Sequence, residues 1–599
     1  MFPKKIFFKN KVFFFIISLI LLIFISSRLL LFPVHFGHGD DTAIGHIVWI
    51  FNSYNSLELK SKLAEYNKDF SLLFYVIDNF SFTFPVIKFL LTPFAISENS
   101  SYAPLQFFVT KLLSNFDLSY KFSLISIRFV SVFSSFISII FLFLFLKKLE
   151  KKNNELLLIV SISILSLSWM YLTYSSLALN AGSIVLVSSI FLYMLAKLDS
   201  PNISFKISFL VGFLTILLLL LHYQSIIFLP GFYLSLLYLC NFKYKIFFKK
   251  WLPCLIINTI GFLIIYFHYL NRISTVHWNA GVNSEFLFDH NVFSQSLYYI
   301  LNYIFTFFTK NFFLTLQSIV SFTDLQGYFS KIYTSLIIFF SIFSVFFFDK
   351  KKKEIASVFI FILATFGFWF ILIILQKITM SPTRHSLFIL IPISFLASYG
   401  FYLFIRKIKL NYENGKAKFL CYIFLFGLLI IYVNNFFIER HNRLDPFQNI
   451  KYEEILKKHK VSSIVTYDFP PSQFYFPYIN KNFIHKVGPS NSVIYYKKNN
   501  DLKDHSIAFV GTRNTFADST YEYNYYRGII NFIYSKSFKD YNYKKDYYKD
   551  TQILKDNNIK IDLELIYEYN FKNSTEVDYG NLTKNGSNNL LVKIYRLKQ

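Results

Sequence analysis

Apolar runs of bilayer-spanning length recur along the chain, separated by short polar stretches. They fall at Val12–Phe32, Ile127–Leu146, Leu156–Tyr174, Ala181–Leu195, Ile207–Leu221, Ile226–Leu239, Leu252–Leu270, Tyr333–Phe348, Ile355–Leu375, Leu387–Ile405 and Phe419–Phe436. A transmembrane helix needs about 20 predominantly apolar residues, so the pattern predicts about eleven spans. Three long segments interrupt it. The first, residues 33–121, carries two amphipathic stretches near Ile44–Leu63 and Phe70–Leu91 that read as helices lying in the interface. The second, Asn271–Lys331, holds apolar patches around Ile304–Phe313. The third, Glu439–Gln599, is rich in Lys, Asn, Asp and Tyr; it opens on a helical stretch, Tyr452–Lys458. Strand-like runs follow at Ser463–Tyr467, Ile507–Gly511, Leu563–Tyr569 and Leu590–Tyr595. The expected fold class is an all-α polytopic membrane domain over residues 1–436, followed by a small α/β domain over 437–599.

Loop charge orients the spans. Lys147, Lys148, Lys151 and Lys152, then Lys197–Lys206, Lys243–Lys250, Lys350–Lys353 and Arg406–Lys418, share one side. The opposite short loops, Ser175–Asn180 and His222–Gln224, carry no Lys or Arg. Positive charge is retained in the cytoplasm, which makes the N-terminus cytoplasmic and, with an odd number of spans, the C-terminal domain extracytoplasmic. The N-terminal run follows Lys4, Lys5, Lys9 and Lys11, and it lacks a small-residue cleavage site. It is read as an uncleaved anchor rather than a signal peptide. The expected location is the plasma (inner) membrane.

Composition agrees with this pattern. Of 599 residues 54% are hydrophobic and only 16% charged, with a mean hydropathy of +0.42. A soluble domain carries about 25% charged residues. The formal net charge of +26 lies largely in the loops and excludes nucleic acid as the partner, because no basic face is interleaved with base-stacking aromatics. The 78 Phe and 43 Tyr accompany much Ile, Lys and Asn, which reads as a general compositional bias rather than an aromatic cage. Cys240, Cys254 and Cys421 form no CxxC pair and read as inert core residues.

The spans are almost free of ionisable side chains, and Arg28 is near enough to the outer end of its span to snorkel. An ion-coupled transporter keeps charged groups within its helices, so the chemistry here is expected in the outer loops. The densest loop is His35-Phe36-Gly37-His38-Gly39-Asp40-Asp41, where the first span leaves the bilayer. Two adjacent carboxylates repel, which raises the proton affinity of one and suits Asp40 to act as a general base. The alternative is a solvated helix start, with Asp41 capping the following N–H groups. His35, His38, Asp40, Asp41 and His46 have the donor types to ligate a divalent metal, with His35, His38 and Asp41 the candidates, although their spacing matches no strict motif. A lipid-phosphate substrate would need cations on the outer side, and Arg suits phosphate best. Arg128, Arg272, Lys377, Arg384 and His385 supply them. His222-Tyr223 reads either as a simple polar turn or as a group facing the same outer site.

Four short segments, taken in order and by side, resemble the GT-C glycosyltransferases of the branch that includes protein O-mannosyltransferases and lipid A aminoarabinose transferases. They are Gly39-Asp40-Asp41-Thr42-Ala43, Tyr102-Ala103-Pro104-Leu105-Gln106-Phe107-Phe108, Ile127-Arg128-Phe129-Val130-Ser131, and Pro382-Thr383-Arg384-His385 with Pro392. The chain departs from that pattern at Asp41, where Glu is frequent, and at His385, where Tyr is usual. It also lacks the Arg often found after Tyr174-Ser175-Ser176. The resemblance implies an inverting transfer of a sugar from a polyprenyl-phosphate donor to an acceptor hydroxyl on a glycan, lipid or protein outside the membrane. Asp40 would be the base, Arg and Lys would stabilise the leaving phosphate, and no cofactor would be required; the histidines leave a divalent metal open. Protein glycosylation and lipopolysaccharide modification are both within this class. Two other functions compete with it: a lipid-linked glycan flippase or transporter, and a non-catalytic envelope glycan assembly protein.

Overall fold

The computed structural model describes residues 11–31, 44–45, 47–49, 51–52, 89, 92–94, 96–97, 102–113, 116, 120–149, 155–177, 180–198, 203–265, 288–322, 328–350, 352–407, 426–434, 436–437, 452–466, 483–487, 493–497, 506–512, 562–571 and 590–598. The chain forms two compact units. The larger comprises Met1–Pro33, Lys60–Thr110 and Ile127–His441; the smaller comprises Val34–Leu59, Lys111–Ser126 and Asn442–Gln599.

The described helices, in chain order, begin with α1 (Lys11–Leu31), α2 (Leu105–Leu113), α3 (Tyr120–Leu149), α4 (Glu155–Ser166), α5 (Trp169–Ser175) and α6 (Ala181–Lys197). They continue with α7 (Phe205–Leu221), α8 (Phe228–Leu239), α9 (Tyr244–Ile265), α10 (Leu297–Val320), α11 (Tyr328–Phe347), α12 (Lys353–Ile374) and α13 (Leu390–Lys407). Among the described residues, five helices are long and apolar enough to cross a membrane: those within α3, α9, α11 and α12, and the run Arg384–Lys407 that ends in α13. The pair α4–α5 makes a sixth if it is one span, bent by 58°. Phe15–Leu31, Ala181–Lys197, Phe205–Leu221 and Tyr223–Leu239 are apolar but shorter. A 17-residue helix rises about 25 Å, against a hydrocarbon core of about 30 Å.

Two features explain how so many small and hydroxylated residues fit these apolar helices. Many hydroxyls return to the carbonyl one turn back, as Ser135 does to Ser131 O at 2.9 Å and Thr215 to Val211 O at 2.8 Å, and those need no water. Glycines mark the places where helix backbones meet. A Cβ on Gly182 of α6 would lie 1.8 Å from the Ser131 carbonyl oxygen of α3, and one on Gly400 of α13 would lie 1.8 Å from that of Phe340 in α11. Such contacts bring helices together where hydrocarbon gives no hydrophobic drive.

The span expected at Leu156–Tyr174 is broken at Leu167–Ser168. Backbone and side chain both show why. The Trp169 N–H donates to Ser321 O at 2.8 Å, and the Ser168 hydroxyl donates to Ile319 O at 2.6 Å. The carbonyl end of α10 thus fills the break, while Ser168 also accepts from Tyr171 N–H as the N-cap of α5. α10 itself is a 24-residue helix where only apolar patches were expected. Its first half exposes Leu297, Tyr298, Leu301 and Phe305, and its last turns are buried.

Helix direction gathers the basic ends. Lys353 Nζ, entering α12, donates to Asn241 Oδ1 after α8 at 2.9 Å, and Lys407 Nζ at the end of α13 lies 3.5 Å from the centre of the Phe347 ring at the end of α11. These two contacts bring together the helix ends next to three of the lysine-bearing loops, 243–250, 350–353 and 406–418. At the opposite ends, His222 precedes the turn leading into α8, Lys377 follows α12, and Arg384 opens the turn leading into α13.

The smaller unit contains a six-stranded sheet ordered β2-β3-β1-β4-β6-β5. The strands are β1 (Val461–Thr466), β2 (Phe483–Val487), β3 (Val493–Lys497), β4 (Ser506–Thr512), β5 (Asp562–Phe571) and β6 (Leu590–Lys598). Only β1 and β4 pair in parallel. The chain enters β1 from α14 (Tyr452–Lys458) through Lys460, whose φ of 49° makes the turn left-handed. Val461, Ile464, Val465, Ile507, Phe509 and Ile594 are buried, so the central strands form the core of this unit. The four strand-like runs and the helix read from the sequence all appear; β2 and β3 are additional. Ile44, Val48 and Phe51, also in this unit, are buried at helical spacing within the amphipathic stretch Ile44–Leu63.

Candidate functional site

The best-defined polar arrangement in the larger unit is built on the seven-residue helix α5. The segment Tyr174–Ser176 has no arginine of its own, and two distant ones meet α5. Arg28, near the end of α1, is fully buried. Its guanidinium carbon lies 3.5 Å from the centre of the Phe24 ring and 4.7 Å from that of Tyr171. Nε donates to the Ser175 hydroxyl at 3.0 Å and Nη1 to the Phe24 carbonyl at 3.3 Å, while Nη2 is buried without a hydrogen-bond partner among the described residues. Around it, Ser27 and Tyr432 hydroxyls lie 3.4 Å apart, Ser138 and Tyr171 hydroxyls 3.1 Å apart, and Trp169 packs edge-on to Tyr432. Snorkelling, the sequence expectation for Arg28, is thus overturned. The side chain turns inward onto α5, where aromatic faces and a serine replace water around the cation.

Arg384 arrives from the other direction. It opens the 3-10 turn Arg384–Ile389 that leads into α13, and its guanidinium carbon lies 6.0 Å from the centre of the Tyr174 ring. The loop before it is tied at both ends. Gln376 takes a left-handed φ of 54° after α12, and the Lys377 N–H closes the helix end onto Leu372 O at 2.8 Å. The Gln376 amide donates to Phe288 O at 2.6 Å, His290 Nε2 lies 2.6 Å from Ile374 O, and the Ser386 hydroxyl donates to Ser381 O at 2.9 Å. Lys377 and His385 are exposed on this braced loop, and Arg384 is partly buried. Arg128 is instead buried in α3.

His222 sits between α7 and the 3-10 turn Tyr223–Ile227. Its Nδ1 accepts from the Gln224 N–H at 3.3 Å, so the ring caps the turn as neutral imidazole. Asn180 Nδ2 donates to Leu221 O at 3.0 Å, which joins the two short loops that lack Lys and Arg. The Tyr223 hydroxyl reaches that of Ser97 at 2.9 Å. Desolvation of the half-buried ring disfavours the imidazolium and pushes the His222 pKa down to about 3. Between that value and the ordinary 6.5 the unfolded chain holds a proton that the folded chain does not. The stabilisation is fully present above pH 6.5 and is lost as pH falls towards 3. Thermal unfolding of detergent-solubilised protein at about pH 7 and about pH 4.5 is expected to show this loss, and His222→Gln to reduce it. Equal losses in the two proteins would contradict the assignment.

Asp40, Asp41, His35, His38 and Arg272 lie outside the described residues. Among the described residues no group of three His, Cys, Asp or Glu could hold a metal ion. The sequence reading singled out Arg384 but missed Arg28. Its signal was present, since Arg28 is the one charge inside an otherwise apolar run. Compared with known proteins, the chain matches no family model, no curated protein and no solved structure.

Proposed function

We propose that this chain is an integral membrane glycosyltransferase that moves a sugar from a polyprenyl-phosphate donor to an acceptor hydroxyl on the extracytoplasmic side, with inversion. The observation that carries the reading is the pair of arginines set on α5, at helix ends opposite the lysine-bearing loops. In this reading about eleven spans place the N-terminus in the cytoplasm and the C-terminal sheet outside. Asp40 takes the acceptor proton as the acceptor oxygen bonds to the anomeric carbon. The bond from that carbon to the phosphate oxygen breaks, and polyprenyl phosphate leaves with the electron pair. Arg384, with Lys377, Arg272, Arg128 and His385 as further candidates, stabilises that charge, the kind of electrostatic work that dominates many such reactions; His222, held neutral, is left as a turn cap.

The break at Leu167–Ser168 favours one competing reading, a lipid-linked glycan flippase, because transporters build sites from discontinuous helices. One assay separates the two. Membranes containing the chain, supplied with polyprenyl-phosphate-linked sugars, are expected to release free polyprenyl phosphate as sugar reaches an acceptor. Movement of intact donor across the membrane without release would overturn the transferase reading.

A further inference from the structure

We propose that Arg28 is a positioning residue for the phosphate end of the donor, acting through α5 on Arg384. The inference rests on the transferase reading above for the identity of the ligand, but its geometry is independent of it. A guanidinium stays ionised under any ordinary condition, and one held within apolar helices is retained at a cost unless it serves a purpose. The polar and electrostatic neighbours of Arg28 among the described residues are Ser175, the Phe24 carbonyl, Tyr171 and Tyr432, with no carboxylate among them. Among the described residues it therefore makes no ion pair. Its Nε bond to Ser175 and its packing on Tyr171 grip two residues of α5 that are four apart, on one face of the helix. Tyr174, between them in sequence, carries Arg384. Since α5 is only seven residues long and is cut from α4, it has no continuous ladder to fix its rotation. Its polar anchors include Ser168 and Trp169 on the end of α10, the Tyr171 hydroxyl on Ser138 of α3, and Arg28 on the opposite end. Releasing the Arg28 anchor lets α5 turn and carries the Tyr174 ring away from Arg384.

The test uses full-length protein in detergent micelles and two probes, farnesyl phosphate and farnesol, whose affinity ratio isolates the phosphate. Wild type is expected to prefer the phosphate, and Arg384→Lys to reduce that preference about tenfold, the loss of one charge-assisted contact. Arg28→Lys keeps the charge but loses the fork, and Ser175→Ala removes the link while leaving Arg28 whole. Both are expected to reduce the preference, Arg28→Lys about tenfold. Arg28→Lys combined with Arg384→Lys is expected to lose little beyond Arg384→Lys alone, since coupled residues are not additive. If Arg28→Lys lowers only the melting temperature and Ser175→Ala keeps the wild-type preference, the positioning role is overturned while the phosphate site stands. If wild type itself does not discriminate the two probes, the phosphate site and this inference fall together.

Discussion

Asp40→Asn is expected to lower sugar transfer about 10²–10⁴-fold, the range that a positioned general base contributes. Asparagine keeps the size and hydrogen-bonding reach of the side chain but cannot take the acceptor proton. Donor binding, which in this account depends on the arginines, should persist, so the deficit should appear in kcat rather than in the KM for the donor. Asp41→Asn serves as the comparison: a capping residue costs stability of about 0.5–2 kcal/mol and leaves the chemistry largely intact. The measurement is release of polyprenyl phosphate by membranes carrying equal amounts of each variant. Wild-type rates with Asp40→Asn would remove the base from the mechanism.

Gly182→Ala is expected to be among the most damaging conservative changes in the helical unit. The added methyl would sit 1.8 Å from the Ser131 carbonyl oxygen, and that oxygen belongs to a helix backbone that cannot swing aside. The Gly182 N–H also donates to the Ser131 hydroxyl at 3.2 Å, so separation of α3 from α6 loses a hydrogen bond as well as packing. Overpacking of this kind costs about 1–3 kcal/mol and at times more. Gly367 in α12 is the control, because a Cβ there meets nothing within 4 Å. Gly367→Ala should be neutral or stabilising by about 0.5–1 kcal/mol, the helix preference of alanine over glycine. Thermal unfolding in detergent compares them, and equal melting temperatures for the two variants would contradict the helix crossing.

Much of this architecture was legible because it depends on local pattern. Apolar runs placed α3, α9, α11, α12 and α13, and alternation with β-branched residues placed β1, β4, β5 and β6. What escaped depends on contacts between distant segments. Leu156–Tyr174 reads as one helix because Leu167 and Ser168 are compatible with one; the break exists because α10 supplies carbonyls to Ser168 and Trp169. α10 was hidden because Tyr298, Tyr299, Asn302, Thr306, Thr309 and Lys310 dilute its hydropathy, although its amphipathic period was present. β2 and β3 are five-residue strands containing Lys486 and Lys497, too short and too polar to stand out. The candidate site divides in the same way. Arg384 could be found from its place at a span entry, whereas Arg28 was misread because snorkelling is the default near a helix end and only the tertiary fold turns it onto α5.

The central claim is that the chain transfers a sugar outside the membrane through Asp40. It is tested most directly by mass spectrometry of surface glycans from host cells lacking the gene, complemented with wild type or with Asp40→Asn at matched expression. The account predicts one sugar residue missing in the deletion, restored by wild type and still missing with Asp40→Asn. A complete glycan profile in the deletion, or full restoration by Asp40→Asn, would contradict it.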